Sequence, residues 1–139
     1  MKSNYVAGFL FSEDRKSVAL IEKNHGPSVV VGKWNAIGGK IEEREESSAA
    51  MKREFIEETG AGQSLAWFWF LKLEGDDWSV DFYHAFGNLY VDSKETEKVS
   101  WFELSALPIV VPNLQWIIPM ALGHFDDHVE VYRVTGWLI

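Results

Sequence analysis

Three glutamates near the middle of the chain have the residue type and the spacing to act together on a cation. Glu54, Glu57 and Glu58 lie in the segment R-E-F-I-E-E, shortly before Gly60. In a helix of 3.6 residues per turn, these positions fall within one arc of roughly 100°. Like charges at such spacings destabilise a helix by roughly 0.2–0.5 kcal/mol per pair, so their clustering indicates a function. Mg²⁺ and Mn²⁺ prefer oxygen ligands. The segment therefore predicts a site for Mg²⁺, with Mn²⁺ as a second candidate; the alternative is a solvated acidic face.

These glutamates belong to a longer pattern that spans residues 39–61. Its fixed positions are Gly39, Glu45, Arg53, Glu54, Phe55, Glu57, Glu58, Gly60 and Ala61. The order G-x5-E-x7-R-E-U-x-E-E-x-G-U, in which U is apolar, resembles the signature box of the MutT-like Nudix hydrolases. Those enzymes hydrolyse a nucleoside diphosphate linked to a further group X. The resemblance implies an α/β fold: an α/β/α sandwich with a mixed central sheet, the box as a loop and helix, and a C-terminal helix.

The resemblance also implies which groups hold the metal ion. The expected metal ligands are the main-chain carbonyl of Gly38 and the carboxylates of Glu54, Glu57, Glu58 and Glu97. Members of the family differ in which residue acts as the general base, and Glu54 is the first choice here. Glu95 and Glu97, in the loop before Trp101, are the other candidates for a base or an extra ligand. The alternative for both is an ordinary charged loop residue.

Two basic residues of the box complete the catalytic set, which is Lys40, Arg53, Glu54 and Glu57. Arg53 can reach Glu57 one turn along the helix and Glu45 across the loop. We expect it to fix the rotamers of these carboxylates by charge-assisted hydrogen bonds rather than to bind substrate. Lys40 directly follows the glycines and is expected to contact a phosphate; the alternative is a solvent-facing lysine.

The residues around the glycines indicate a nucleotide substrate. The segment G-K-W-N-A-I-G-G-K, residues 32–40, is similar to the corresponding segment of the oxidised-purine nucleoside triphosphatases, in which the asparagine contacts the base. The expected substrate-binding residues are Trp34, Asn35, Lys40 and Asn113. Trp34 and Trp116 are the candidates for stacking on the base, because they flank the inferred pocket.

Markers outside the box separate the branches of the family. ADP-ribose pyrophosphatases have a proline about fifteen residues downstream of the box, whereas no proline lies between Pro27 and Pro108 here. Dinucleoside-polyphosphate hydrolases tend to have a tyrosine near that distance, where this chain has residues 76–79. The comparison favours a nucleoside triphosphate, unmodified or oxidised, that is cleaved to monophosphate and pyrophosphate. The alternatives are an ADP-ribose or dinucleotide pyrophosphatase and a catalytically silent nucleotide-binding module.

The elements that must position these residues follow from apolar periodicity and turn signals. The predicted elements are a hairpin of strands 5–11 and 18–22, a short extended piece at 29–31, a helix at 46–59, strands at 65–73 and 78–90, a segment at 99–107 that ends in a helical turn, a helix at 112–124 that Pro119 bends or begins, and a strand at 129–134. Strand 65–73 is apolar at almost every position and is expected to be covered on both faces. Residues 32–40 are expected only to connect the hairpin to the box.

The composition limits the classes of protein that the chain can be. Its 139 residues predict a single domain, 1–139. The net charge of −8 argues against binding to a polymeric nucleic acid or an anionic membrane. The absence of cysteine excludes disulfides and thiolate metal sites, and the N-terminus makes a poor signal peptide. We therefore expect a cytoplasmic protein, monomeric or homodimeric.

The remaining aromatic and histidine residues are expected to be structural. Most tryptophans belong to protein cores, and this role is assigned to Trp67, Trp69, Trp101 and Trp137. His84 lies on the apolar side of its strand and is expected in the core or in a pocket wall. The other histidines show no spacing typical of metal ligands.

Overall fold

The computed structural model describes residues 2–135, which form one mixed sheet and two α-helices. The elements in chain order are β1 (Ser3–Phe11), β2 (Ser17–Glu22), β3 (Trp34–Asn35), β4 (Ile37–Lys40), α1 (Ser47–Thr59), β5 (Phe68–Glu74), β6 (Trp78–Phe86), β7 (Val99–Glu103), a 3₁₀ turn (Leu104–Ala106), α2 (Leu114–Gly123) and β8 (Glu130–Arg133). Within the described part of the chain, no helix is long and apolar enough to cross a membrane.

The central path of the sheet runs β3-β2-β1-β6-β5-β8. β1 pairs with two strands along one edge. Its first half pairs with β4 and its end pairs with β2, both antiparallel. On its other side β1 runs parallel to β6, and β5 runs parallel to β8. β7 adds to the free side of β2. The sheet is therefore mixed, as predicted.

Alternate residues of β1 separate two apolar cores. Val6 and Leu10 face a cluster that contains Met51 and Phe55 of α1, whereas Phe9 faces a cluster built on α2. Side chains of a strand point to opposite faces in turn, so β1 contributes to both layers. Helices on both faces of one mixed sheet make an α/β/α sandwich, which confirms the predicted fold class.

Both predicted helices form, with small shifts of their ends. α1 ends at Gly60, which adopts the left-handed conformation (φ 73°) and donates its N–H to the carbonyl of Ile56. α2 begins two residues later than predicted and continues through Pro119, which lies inside it. A proline inside a helix costs roughly 3 kcal/mol. The buried neighbours Ile117 and Ile118 oppose that cost, since burying each such side chain stabilises the fold by roughly 1.5–3 kcal/mol.

Four expectations about the strands were wrong. Residues 29–31 lie in a turn closed by hydrogen bonds to the carbonyl of Pro27. Residues 32–40 supply two strands, β3 and β4, rather than a mere connection. β6 ends at Phe86, opposite Phe11, because its parallel partner β1 ends there too. β5 begins only at Phe68, and its first residues are not covered on both faces.

Three of the four tryptophans that were assigned to the core lie among the described residues. Trp67 packs on Phe55 with a centroid separation of 5.2 Å, and Trp101 donates its indole N–H to the carbonyl of Leu89. Trp69 was wrongly assigned to the core: it is 39% exposed, because α1 packs on β4 and β1 rather than over β5. Trp137 lies outside the described residues.

His84 is buried, as expected, and takes part in a chain of hydrogen bonds at the end of α2. Its Nε2 lies 2.9 Å from Nδ1 of His124, whose own Nε2 lies 2.8 Å from the carbonyl oxygen of His128. A carbonyl only accepts, so His124 donates from Nε2 and accepts at Nδ1, and neutral His84 donates from Nε2. Nδ1 of His84 is then a bare acceptor, buried beside the rings of Phe68 and Phe70 and without a hydrogen-bond partner.

This arrangement predicts that acid destabilises the fold through His84. Burial, then the charges of His124 and Arg15, lowers the pKa of His84 from 6.5 to about 4. Between these two values the unfolded chain binds a proton that native His84 does not, so the free energy of unfolding falls as the pH falls. We expect urea unfolding at pH 7 and pH 5 to show the wild type losing about 2 kcal/mol more than His84→Phe. His128→Gln, at a more exposed ring, should keep the wild-type dependence; equal losses in wild type and His84→Phe would contradict the prediction.

Candidate active site

The two glycines of β4 let the box helix lie directly on the sheet. A Cβ on Gly39 would stand about 2.5 Å from the carboxylate of Glu54, so no larger residue fits beneath that side chain. A Cβ on Gly38 would stand 1.9 Å from the carbonyl oxygen of Val6 in the adjacent strand. Glycine is required at both positions, because the backbone approaches a carboxylate at Gly39 and the neighbouring strand at Gly38.

Arg53 is the centre of the charge network, as the sequence predicts. Its Nε donates to Glu45 at 2.7 Å, and its Nη2 donates to Glu45 at 2.9 Å and to the carbonyl of Lys40 at 3.1 Å. Its Nη1 donates to Glu54 at 3.0 Å and to Glu57 at 3.2 Å. One guanidinium therefore joins the end of β4, the loop and two carboxylates of the helix. Such charge-assisted bonds hold the side chains in single rotamers.

The pairing with Arg53 also controls ionisation in the loop. The hydrogen bonds from Arg53, and then the backbone N–H of Glu42, lower the pKa of Glu45 to about 2. Glu45 therefore stays ionised throughout the neutral range. The same hydrogen bonds to Glu45 hold the pKa of Arg53 above its usual value.

Glu58 differs from the other box glutamates because it is both deep and unpaired. Its Oε2 is buried and has no hydrogen-bond partner among residues 2–135. Burial, followed by the charge of Glu54, raises the pKa of Glu58 to about 8. Burial likewise raises the pKa of Glu54, although the hydrogen bond from Arg53 opposes this rise. A buried carboxylate oxygen without a donor is costly unless it is protonated or binds a cation.

The loop before β7 closes over the end of the box helix. Its backbone donates from Lys94 to the carbonyl of Glu58 at 3.1 Å. Glu97 is buried and already engaged: Lys23 Nζ lies at 3.3 Å, the backbone N–H of Asn24 at 2.7 Å and His25 at 3.1 Å. Its carboxylate thus fastens this loop to the loop after β2.

Glu95 is the more accessible of the two loop glutamates. It is exposed, and its charge raises the pKa of both Glu54 and Glu58. The charge of Glu95 therefore adds to the effect of burial on these two box glutamates. Glu97 also raises the pKa of Glu58, but its oxygens face donors of their own.

These donors fit a hard divalent cation chemically. The unpartnered oxygen of Glu58, the carboxylate of Glu54 above Gly39 and the tight backbone at Gly38 all supply oxygen. Among residues 2–135, however, no three His, Asp or Glu side chains already stand in the arrangement of a coordination shell.

The predicted substrate residues come together through the backbone. The N–H of Trp34 donates to the carbonyl of Ile109, and its own carbonyl accepts from Val111, just before α2. This places β3 beside Asn113, whose Oδ1 accepts the indole N–H of Trp116 at 3.1 Å. Trp116 is 39% exposed and packs near Tyr132 of β8, a residue that sequence reasoning missed.

The remaining substrate candidates are less free than expected. The indole of Trp34 packs edge-on against Phe102 at 4.7 Å. Asn35 is 8% exposed, and its Oδ1 already accepts the N–H of Ala36. Lys40 is exposed at the end of β4. An open groove of about 350 Å³ elsewhere contains none of the predicted site residues; it is lined by Ser12, Ser17, Asn88, Leu89, Tyr90 and Trp101.

Sequence reasoning also missed a polar cluster beneath the start of α1. The alternation of apolar and polar residues in β6 indicates a sheet with one face more polar than the other. In the structure Ser79, Asp81 and Tyr83 are all buried. Ser47, the first residue of α1, lies 2.7 Å from both Asp81 and Tyr83.

Comparison with known proteins agrees with this geometry. A family model described as the NUDIX domain matches residues 1–120. A search of curated proteins found no match. Among solved structures, the mutator MutT protein from Bacillus halodurans is 22% identical over 96% of this chain and 90% of its own, with a TM-score of 0.69. A MutT structure from work on Aliivibrio salmonicida and Vibrio cholerae is 22% identical over 88% of this chain and 98% of its own, with a TM-score of 0.68.

A third similar structure contains a ligand. The NUDIX domain of Shewanella oneidensis NrtR, in complex with ADP ribose, is 20% identical over 88% of this chain and 87% of its own, with a TM-score of 0.69. These likenesses establish the shared fold, and the family model covers most of the chain, box included. The chain therefore belongs to the Nudix hydrolase family.

Proposed function

We propose that the protein hydrolyses the pyrophosphate linkage of a nucleoside triphosphate, unmodified or oxidised, to the monophosphate and pyrophosphate, with Mg²⁺ as cofactor. Mn²⁺ is the alternative metal. Nudix hydrolases generally use divalent metals. The observation that carries the proposal is the buried, unpartnered Oε2 of Glu58 beside the carboxylate of Glu54. Two partly buried carboxylates whose charges repel each other need a cation to be ionised together.

The residues that would hold the ion are the carbonyl of Gly38 and the carboxylates of Glu54, Glu57 and Glu58. When bound, a divalent ion neutralises phosphate oxygens and lowers the pKa of a coordinated water. Glu57 is half exposed, and among residues 2–135 its carboxylate is hydrogen-bonded only to Arg53. It can therefore turn toward an ion without breaking core packing. Glu97 would serve as a ligand only by giving up its bonds to Lys23 and Asn24.

The reaction requires one proton acceptor. Water attacks one phosphorus of the pyrophosphate, its oxygen forms the new P–O bond, and the bond from that phosphorus to the bridging oxygen breaks. Glu54 is the first candidate to accept the proton of the water, because burial raises its pKa toward the working range of a general base. Glu95 is the second candidate. It is exposed, and its negative charge adds to the effect of burial in raising the pKa of Glu54.

The basic residues have separate roles in this proposal. Arg53 would hold Glu45, Glu54 and Glu57 in place, and its five donors are already occupied by protein acceptors. Lys40 would contact a phosphate, because its side chain is exposed at the end of the strand that carries the glycines. A cation is needed there, since the box itself is acidic.

The nucleoside would lie against the exposed aromatic pair of Trp116 and Tyr132. The two rings are 39% and 40% exposed, with centroids 6.3 Å apart. Asn113 adjoins them and carries an amide that can read a base edge. Asn35 and Trp34 would form the inner wall of this site.

We expect Trp116→Ala to weaken substrate binding without slowing the chemical step. Stacking of a base on an aromatic ring is worth roughly 1–3 kcal/mol, so KM should rise roughly tenfold while kcat stays within about threefold. The matched control is Trp69→Ala, since Trp69 is also 39% exposed but is in register with Tyr83, whose side chain faces α1. If both variants raise KM equally, the base does not bind at Trp116.

ADP-ribose is the second candidate substrate. The similar NUDIX domain of Shewanella oneidensis NrtR is in complex with that molecule. ADP-ribose contains the same pyrophosphate group, so the carboxylate site would serve for it unchanged. A silent module that binds a nucleotide without cleaving it is the third candidate.

One experiment separates these candidates. Release of pyrophosphate and phosphate is measured with Mg²⁺ from unmodified and oxidised nucleoside triphosphates, ADP-ribose and diadenosine polyphosphates. Pyrophosphate release from one triphosphate supports the proposal. Cleavage of ADP-ribose or a dinucleotide alone would overturn the triphosphate assignment and retain the metal mechanism. Binding without cleavage across the panel would overturn the enzymatic proposal.

We further propose that the catalytic unit is one domain that works in the cytoplasm, as a monomer or a homodimer, on small-molecule nucleotides and neither on polymeric nucleic acid nor at a membrane. The net charge of −8 supports the last two points.

A further inference from the structure

The start of the box helix is fastened to the sheet by side chains that lie outside the box. Ser47 Oγ lies 2.7 Å from Asp81 Oδ2 and 2.7 Å from the hydroxyl of Tyr83. A carboxylate only accepts, so Ser47 donates to Asp81 and accepts from Tyr83. Asp81 is 8% exposed and Tyr83 is 5% exposed. The three polar groups therefore satisfy one another between the helix and β6.

This cluster stands where a helix is ordinarily capped. The N-cap residue, Glu46, makes no side-chain capping bond, and the first turn of α1 contains no acidic residue. Side-chain caps and acidic groups normally fix and stabilise this end. Here the carboxylate near the helix start comes from the sheet, at Asp81, and Ser47 connects it to the helix.

The same row of the sheet also lies beneath the middle of the box helix. Asp81 is in register with Val6, and Val6 is in register with Gly39, above which Glu54 lies. Two strand spacings separate Asp81 from Gly39, a distance of about 10 Å. Seven residues separate Ser47 from Glu54, which is also about 10 Å along a helix. The helix thus meets the sheet at two points, and the distance between them along the helix matches their distance across the sheet.

A third group balances the charge of this cluster. Asp81 Oδ1 has no hydrogen-bond partner, and Lys72 Nζ of β5 lies 3.7 Å from it. Asp81 is in register with Lys72 across the strand pair. The two oxygens of Asp81 thus face the hydroxyl of Ser47 and the ammonium group of Lys72.

We propose that Ser47, Asp81 and Tyr83 form an anchor that sets the rotation and the axial position of α1, and thereby the positions of Glu54 and Glu58 at the metal site. They are positioning residues, because they act through the helix and touch neither phosphate nor metal. The inference rests on the proposed function, since it concerns where the metal ligands stand. A site of this kind tolerates errors of only about 0.5 Å.

The test measures metal binding directly. Mn²⁺ is titrated into the protein, and the free ion is followed by electron paramagnetic resonance. We expect Ser47→Ala to bind Mn²⁺ roughly tenfold more weakly than the wild type, as is typical when a group that orients metal ligands is lost. Tyr83→Phe removes one of the two bonds and should have a smaller effect. Ser47→Thr keeps the hydroxyl and should restore most of the affinity.

The matched control is Ser79→Ala. Ser79 is also buried on β6, on the same face as Asp81, but it donates to Asn4 and makes no recorded hydrogen bond to α1 among the described residues. Urea unfolding should show comparable destabilisation for the two alanine variants, whereas only Ser47→Ala should lose Mn²⁺ affinity. Hydrogen exchange without metal should also be faster in the first turns of α1 for Ser47→Ala alone.

The outcomes distinguish the two proposals. If Ser47→Ala and Ser79→Ala both bind Mn²⁺ as tightly as the wild type and have equal exchange rates, the anchor is overturned and the proposed function remains intact. A wild type that binds no Mn²⁺ would overturn the metal mechanism and, with it, the effect of the anchor on a metal site. Equal loss of affinity in both variants would show a general effect of destabilisation, which also overturns the anchor.

Discussion

We expect Glu57→Gln to hydrolyse its best nucleotide substrate at least about 100-fold more slowly than the wild type at the same Mg²⁺ concentration, a loss of about 2.7 kcal/mol or more in transition-state stabilisation. Glu57 is half exposed and contacts Arg53 on the face that it shares with Glu54 and Glu58. The amide is similar in size but carries no charge, so the site would lose one of its anionic ligands while the fold persists.

Steady-state kinetics with a Mg²⁺ titration measure this effect. The control is Glu43→Gln, an exposed residue of the box loop that has the same charge change. We expect the control to stay within about twofold of the wild type, since surface charges contribute little. Equal rates for wild type and Glu57→Gln would remove Glu57 from the metal site. An equal loss in the control would mean that net charge, rather than ligation, determines the rate.

The second large effect is expected at Arg53. Arg53→Ala would release Glu45, Glu54 and Glu57 from their shared donor and leave the carbonyl of Lys40 without that bond. Loss of a group that orients metal ligands typically costs roughly 10–100-fold in affinity or activity, and we expect kcat/KM to fall by that factor. Arg53→Lys should recover little, because an ammonium cannot reproduce the planar fork that bonds Glu45 through two nitrogens.

The neighbouring Lys52→Ala is the control for Arg53. Lys52 is exposed on the same turn of α1, so the variant loses a positive charge but none of these bonds. We expect its kinetics to match the wild type. An additional readout is Mn²⁺ affinity, which should fall for both Arg53 variants. Wild-type affinity combined with low activity would place Arg53 on the substrate and refute a positioning role.

Local sequence accounts well for the box helix. The positions of Glu54, Glu57 and Glu58 on one face follow from the helical repeat alone, and Gly60 marks the end that the structure shows. Arg53 reaches Glu57 because residues four apart are neighbours on a helix. These features need no knowledge of the rest of the chain.

The strands were less well determined, for a physical reason. Alternation predicts which residues share a face but not which face another element covers. The apolar start of the 65–73 segment predicted burial on both sides, yet Phe68 is 52% exposed and Trp69 is 39% exposed. The polar alternation of β6 indicates a more polar face, but it does not indicate that α1 covers Asp81 and Tyr83 on that face.

The sequence by itself determined the family pattern, the helix that carries the carboxylates and the contacts of Arg53 with Glu45 and Glu57, because these join residues close in the chain. Only the tertiary structure decided that Glu97 is bonded by the loop after β2 and that Ser47 is fastened to β6. Each of these contacts joins residues more than thirty positions apart. Such pairings depend on how strands and helices pack, and no local period in the sequence records them.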